Sequence, residues 1–139
     1  MHKSVQRLNS LKIKIKEIIG KTQLKTLPQI IAVSKTFPLT SILPLIESGH
    51  LHFGENKIQE AEEKWSEIKS KNNKLQLHMI GRLQSNKAKK AVKLFDYIHS
   101  LDSENLAKKI NQHQIELNKV TKLFIQINLM QNFLFDKFR

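Results

Sequence analysis

The sequence predicts an α/β protein in which about five parallel strands alternate with helices, the arrangement of a partial (β/α)8 barrel. Three observations predict it. Short apolar runs that are typical of strands alternate five times with segments of helical period. The gaps between these runs are long enough for right-handed crossover helices. Polar residues gather directly after the predicted strands, at the edge where barrels and open α/β sheets carry their active sites.

The composition indicates one globular domain. The chain has 139 residues, of which 40% are hydrophobic and 26% charged. No apolar run approaches the roughly 20 residues that a membrane-spanning helix needs, and no cleavable leader pattern is found, so a cytoplasmic protein is expected. The absence of cysteine excludes disulfides, zinc-thiolate sites and a cysteine nucleophile.

The formal net charge of +12 raises the question of a nucleic-acid partner, since lysine and arginine neutralise phosphates. The positive charge is almost entirely lysine, and it is spread over the whole length of the chain. This distribution favours a solvated surface over a nucleic-acid interface.

The first twenty residues predict an amphipathic helix that ends at Gly20, because apolar residues recur at steps of three and four. Glu17 is the only acidic residue in this segment. A mitochondrial targeting segment or an interfacial anchor would share that feature, but an ordinary packed helix with a lysine-rich outer face is favoured.

Residues 29–33 form a continuous apolar run, which predicts a strand covered on both faces. A helical pattern follows from Thr36 and ends at Ser48 and Gly49. The segment SKTFP stands where a nucleotide-binding doubly wound sheet would carry its glycine-rich phosphate loop. The barrel is therefore favoured over that alternative.

The remaining elements continue the alternation. Further strands are predicted at 52–54, 75–80, 95–100 and 120–128, with helices at 56–69, 84–94 and 104–117. A complete barrel typically needs about 250 residues. The sequence therefore predicts an incomplete barrel domain over residues 1–128, followed by a divergent tail at 129–139, and an open sheet whose edges are exposed.

Lys35 is the first candidate for chemistry, because it follows the first predicted strand directly. An ordinary lysine has a pKa of about 10.4 and is a poor nucleophile at neutral pH. Burial at the strand end would disfavour the ammonium form and make the amine available for a Schiff base with an aldehyde or ketone. The alternative is a lysine whose stem packs while its head reaches water.

Other polar candidates follow the second and third strands. Asn56 either lines a site or caps the next helix. His78 is either a site residue or a hydrogen-bonded structural histidine. Gln84 and Asn86 lie in a helix start that either attracts an anion or is a plain cap. The other histidines lack metal-ligand spacing, so no metal site is predicted, and no serine nucleophile elbow or carboxylate pair is present.

Five segments, read in order, carry a resemblance to a known family. They are IIAVSKTFP, HFGENKIQEAEEK, LHMIGRLQSNKAK, FDYIHSLDS and LFIQIN. Together, from about residue 5 to Asn128, they resemble the pyridoxal phosphate homeostasis protein family. The resemblance implies a single-domain barrel related to the amino-terminal half of alanine racemase, with pyridoxal 5'-phosphate held as a Schiff base on Lys35. It also implies that Asn56 lines the cofactor pocket and that His78, Gln84 and Asn86 shape the mouth of the barrel.

The same resemblance implies a non-catalytic carrier that regulates the intracellular supply of pyridoxal phosphate, with no catalytic residue assigned. One alternative is a racemase-like enzyme dependent on pyridoxal phosphate, which would need an acid or base on each cofactor face. A basic nucleic-acid-binding protein is the other.

The family pattern continues after Asn128 with three further strand–helix units that carry the phosphate loops, whereas LMQNFLFDKFR follows here. The resemblance therefore implies a truncated chain with impaired cofactor binding. An incomplete barrel would leave apolar strand faces bare, so dimerisation through the gap is a further expectation.

Overall fold

The computed structural model describes residues 1–22 and 26–129, and its elements follow the predicted alternation. Residues 130–139, nearly all of the predicted tail, lie outside the described part. No helix in the described ranges is long and apolar enough to cross a membrane. The elements, in chain order, are α1 (Lys3–Ile19), β1 (Ala32–Val33), α2 (Leu39–Glu47), β2 (His52–Glu55), α3 (Ile58–Lys71), β3 (Gln76–Met79), a 3-10 turn (Ser85–Lys87), α4 (Ala88–Leu94), β4 (Tyr97–Leu101), α5 (Glu104–Leu117) and β5 (Lys122–Ile125).

The five strands form one parallel sheet in the order β1-β2-β3-β4-β5. Each strand pairs with the next one in sequence, so the sheet grows in one direction like the wall of a barrel. A doubly wound sheet would reverse its strand order at a switch point. The predicted α/β class, with five parallel strands and a barrel-like order, is confirmed.

The apolar core lies on one face of this sheet, which we call the helix face. Phe53, Leu77 and Ile98 point to it and are fully buried. Buried residues of four helices join the same cluster, and they include Ile42 of α2, Trp65 of α3, Val92 of α4 and Ile110 of α5. Because side chains alternate along a strand, every second residue of β2 to β4 is committed to this core.

Helix α5 shows why the predicted bounds of 104–117 match the structure. The Ser103 hydroxyl accepts a hydrogen bond from the Leu106 backbone N–H, as a helix N-cap does. At the other end Asn118 adopts the left-handed conformation, with φ of 46°, and its N–H closes the last turn. Both termination signals are local, so they can be recognised in the sequence.

The opposite face of the sheet, which we call the inner face, is open to solvent at both of its edges. Val33 of β1 is 50% exposed, and Phe124 of β5 is 52% exposed. The prediction that residues 29–33 form a strand covered on both faces is therefore wrong. β1 has two residues, and within the part of the chain that the structure describes it pairs on one side alone, with β2.

Candidate functional site

Lys35 lies in a tight turn at the carboxyl edge of the sheet. The turn is closed by a hydrogen bond of 3.2 Å from the Phe37 N–H to the Ser34 carbonyl, and Thr36 has a positive φ of 66°. Lys35 itself is exposed. Of the two alternatives for Lys35, the structure shows the one whose head reaches water. Its role as the Schiff-base lysine stays a prediction.

A buried carboxylate anchors this turn. Glu55, at the end of β2, is fully buried on the helix face. Its Oε1 accepts hydrogen bonds from the Ser34 hydroxyl (2.7 Å), the Lys64 ammonium (3.0 Å) and the Trp65 indole (2.9 Å). Lys64 also donates to the Ser34 carbonyl at 3.0 Å. Glu55 therefore fixes Ser34, and with it the start of the turn that carries Lys35.

Asn56 follows β2 at the same edge. Its side-chain oxygen Oδ1 is buried and has no hydrogen-bond partner among the described residues. Such an orphaned buried acceptor needs an explanation, and contact with a ligand is one of the recognised ones. Its backbone is approached closely by Gly81, where an added Cβ would lie 2.2 Å from the Asn56 carbonyl oxygen. The loops that follow β2 and β3 therefore meet at this edge.

Gln84 and Asn86 lie beyond the end of β3 and are both exposed. Gln84 occupies the N-cap position of the 3-10 turn, but its side chain makes no capping hydrogen bond. The turn has three residues and α4 has seven, which is too short for a strong anion-attracting helix terminus. That both side chains shape the mouth of the barrel stays a prediction.

His78 belongs to a chain of three imidazole rings on the inner face. Its Nε2 lies 3.0 Å from His52 Nδ1, and its Nδ1 lies 2.9 Å from His99 Nε2. In each pair one ring donates and the other accepts. The rings of His78 and Tyr97 stack with centroids 4.2 Å apart, and those of His99 and Phe124 stack at 4.5 Å. The chain crosses strands β2, β3 and β4 diagonally.

The environment of this chain favours neutral rings. Burial, followed by the neighbouring rings of His99 and His52, lowers the pKa of His78 to about 4, while Asp96 acts weakly in the opposite sense. Burial also lowers the pKa values of His52 and His99. A neutral imidazole has one donor and one acceptor, so a neutral His78 can bridge its two neighbours only if both hydrogen bonds run in the same direction.

This chain of imidazoles was not predicted from the sequence, where the histidines were considered one by one and only for metal-ligand spacing. No metal-binding cluster is found within the described ranges. The available signal was strand register. The rings become neighbours because Gly54 of β2 pairs with His78, and His78 pairs with Tyr97. Those pairings bring together residues that are 21 and 26 positions apart in the chain.

Comparison with known proteins finds relatives that share one name. No family model matches the chain. Pyridoxal phosphate homeostasis proteins of Pasteurella multocida and Synechocystis are similar, at 39% identity over 101 residues and 40% over 108. These matches cover 73% and 76% of this chain but 43% and 49% of the relatives. The chain therefore spans somewhat less than half the length of the curated relatives that it matches.

Solved structures are also similar. PipY of Synechococcus elongatus, crystallised with pyridoxal phosphate bound, superposes with a TM-score of 0.76 at 42% identity, covering 89% of this chain and 54% of PipY. A protein of unknown function from Bifidobacterium adolescentis gives a TM-score of 0.70 at 26% identity, covering 86% and 51%. The resemblance read from the five sequence segments is confirmed.

Proposed function

We propose that this chain, a relative of the pyridoxal phosphate homeostasis proteins, binds pyridoxal 5'-phosphate and holds its aldehyde on the Lys35 amine. The observation that carries the proposal is the 42% identity to PipY, whose structure was solved with pyridoxal phosphate bound. The homeostasis role comes from the names of the curated relatives. It is proposed here because the chain spans only part of their length.

The residues at the carboxyl edge are suited to such a ligand. When bound, the cofactor supplies an aldehyde, to which a neutral amine adds with loss of water. The exposed turn leaves the Lys35 amine accessible, and Glu55 holds that turn through Ser34. The buried Oδ1 of Asn56 has no hydrogen-bond partner among the described residues, so it keeps an acceptor that a ligand donor would satisfy.

The proposed site also includes three residues beside this pair. We propose that Gln84 and Asn86 line the mouth and that His78 borders the inner side. Two positions support this proposal. His78 lies within β3, which pairs with β2, and Gln84 and Asn86 follow the end of β3.

Borohydride reduction tests the attachment. The purified chain is incubated with limiting pyridoxal phosphate, reduced, digested and mapped by mass spectrometry. We expect the label on the peptide that contains Lys35 and its loss in Lys35→Arg, which keeps the charge. Lys14→Arg, a matched change on the exposed side of α1, should label like the wild type. Labelling spread evenly over the lysines, or unchanged by Lys35→Arg, would refute the proposal.

We propose a carrier and not a racemase. Racemisation needs a positioned acid or base on each cofactor face. Tyr97 is the only tyrosine in the sequence, its ring is stacked on His78, and its hydroxyl accepts a hydrogen bond from the Lys122 ammonium at 3.1 Å. Chiral chromatography of amino acids incubated with the chain and cofactor should show no racemisation above free pyridoxal phosphate. Turnover above that level would favour the enzyme.

Three further expectations complete the proposal. The chain is proposed to be cytoplasmic, which cell fractionation tests. Residues 1–128 are proposed to form the domain and residues 129–139 a separate tail, which limited proteolysis tests.

Two copies are proposed to associate through the open inner face, and light scattering would show a dimer. Retention on immobilised DNA that falls steeply with salt would instead favour a nucleic-acid partner.

A further inference from the structure

A cavity of about 260 Å³ lies at the amino edge of the sheet, where β1 and β2 begin. Lys35 follows the end of β1, so the cavity and the proposed cofactor lysine are at opposite edges. We call it the basal cavity. Its lining comes from α1, from residues 27–30 before β1 and from residues 49–52, which lead into β2.

The charge of this lining has one sign. Lys12 and Lys16 are one helical turn apart on α1, so they share a face of the helix, and two imidazoles lie in the opposite wall. None of the lining residues within the described ranges is acidic. Burial lowers the pKa of His50, its hydrogen bond to the His52 carbonyl raises it, and the charges of Lys12 and His52 lower it again. The basic groups therefore repel one another in the free protein, and an anion between them would remove that cost.

His50 supplies a buried polar group at the cavity. It is 4% exposed, and its Nε2 donates a hydrogen bond of 2.9 Å to the His52 carbonyl. Its Nδ1 has no hydrogen-bond partner among the described residues. Because Nε2 already carries a hydrogen, protonation of the ring places a second donor on Nδ1. His52 is similar, since its Nδ1 is occupied by His78 and its Nε2 has no described partner.

We propose that the basal cavity binds a small organic oxyanion through Lys12, Lys16, His50 and His52. Its head is a phosphate or carboxylate, and its body is apolar because Ile15, Leu27, Ile30 and Leu51 form the rest of the wall. The volume is below the roughly 300 Å³ at which drug-sized pockets begin, which suits a single ring or a short chain. This site goes beyond the proposed function, which concerns the other edge of the sheet.

Three ligands with the same ring test the need for a negative head. Phenyl phosphate, benzoate and benzyl alcohol are titrated into the isotope-labelled chain, and the ring C–H resonances of His50 and His52 are followed. We expect saturable shifts with phenyl phosphate and benzoate, and none with benzyl alcohol. Their relative affinities decide whether the site prefers phosphate or carboxylate. Equal responses to the charged and neutral ligands would refute the proposal.

A pair of double variants separates the cavity from the general positive charge. Lys12→Gln with Lys16→Gln should weaken phenyl phosphate binding by at least about tenfold, because two charge-assisted contacts are removed. Lys3→Gln with Lys14→Gln removes the same charge from α1 outside the cavity and should bind like the wild type. Equal weakening by both pairs would show nonspecific attraction and overturn the site.

A pH series with benzoate tests the role of the imidazoles, since the charge of benzoate is constant above about pH 5. Binding should strengthen as the pH falls, because protonated His50 and His52 add positive charge beside Lys12 and Lys16. Asp96 and Lys122 also act on His52, in opposite directions. An affinity that is independent of pH would contradict the histidine contacts.

The same titration in Lys35→Arg keeps the two proposals apart. Benzoate should bind this variant as it binds the wild type. Loss of benzoate binding in Lys35→Arg would show that the anion binds at the carboxyl edge and would refute the basal site.

Discussion

The helix face and the inner face of the sheet carry different kinds of side chain. On the helix face, Phe53, Leu77 and Ile98 are fully buried against α2 to α5. On the inner face, imidazole and phenol rings stand in their place, and the edge residues Val33 and Phe124 are half-exposed. The difference indicates that the stability of the chain resides mainly on the helix face, while the inner face holds groups that can exchange protons and hydrogen bonds.

The ionisable groups of the two faces also have different hydrogen-bond partners. Glu55 on the helix face is an ionisable group held by three donors on one oxygen. The histidines of the inner face are held by one another, and their pKa values are lowered by burial. Substitutions on the helix face should therefore cause the largest losses in the free energy of unfolding. Substitutions on the inner face should mainly change its pH dependence.

Trp65→Ala should give the largest loss of stability. The side chain is fully buried, packs on Phe53 with ring centroids 4.9 Å apart, and donates to Glu55. Truncation creates a cavity and leaves the carboxylate with fewer donors, which should lower the free energy of unfolding by about 3–5 kcal/mol. Urea denaturation followed by circular dichroism measures it. Trp65→Phe, which fills most of the space, should lose less, and equal losses would show that the indole hydrogen bond dominates.

Glu55→Ala should be the next largest. The change leaves the Lys64 ammonium and the Trp65 indole without their buried acceptor, which should cost about 2–4 kcal/mol. Glu55→Gln keeps an oxygen acceptor and should cost less. The same denaturation measurement checks both, and hydrogen exchange at the Phe37 amide reports whether the turn loosens. An unchanged turn in Glu55→Ala would contradict the anchoring role.

The histidines of the inner face should make the free energy of unfolding depend on pH. His78 has a pKa of about 4 in the folded chain, below the ordinary value of 6.5. Between these values the unfolded chain binds more protons, so the free energy of unfolding decreases as the pH falls, by about 3 kcal/mol from pH 7 to pH 4. Denaturation midpoints across this range measure the slope. His78→Asn should flatten it, and parallel curves for variant and wild type would refute the assignment.

Phe124→Ala should have the smallest effect. The ring is half-exposed on the edge strand and contacts the ring of His99. Its removal should cost less than about 1 kcal/mol. The same denaturation assay is used, with Leu77→Ala as the fully buried counterpart on the helix face. A loss comparable to that of Leu77→Ala would show that the inner face carries more stability than its exposure indicates.

The sequence allowed the elements to be predicted because their signals are local. Helix α5 was predicted at its observed bounds of 104–117. The strand order also followed, since each strand pairs with its successor. The exposure of Lys35 could not be decided from the sequence, because it depends on which elements cover the carboxyl edge of the sheet and not on the neighbours of Lys35 in the chain.

The site was predictable only in part for the same reason. Lys35 and Asn56 follow adjacent strands, so their common edge could be deduced. The chain of imidazoles depends on lateral register between strands, which no single stretch of sequence specifies. The orientation of Glu55 was accessible, because it lies two residues from Phe53 in a strand and therefore on the same face.

The contact between Gly81 and Asn56 determines how a saturation mutagenesis map of the chain should look. At position 81 every substitution would push a carbon into the Asn56 carbonyl, whereas Gly49 has open space around it but a φ of 85°. Asparagine, which tolerates such backbone angles, should be accepted at 49 and rejected at 81. Two glycines with the same intolerance of alanine would thus be distinguished by one amide side chain.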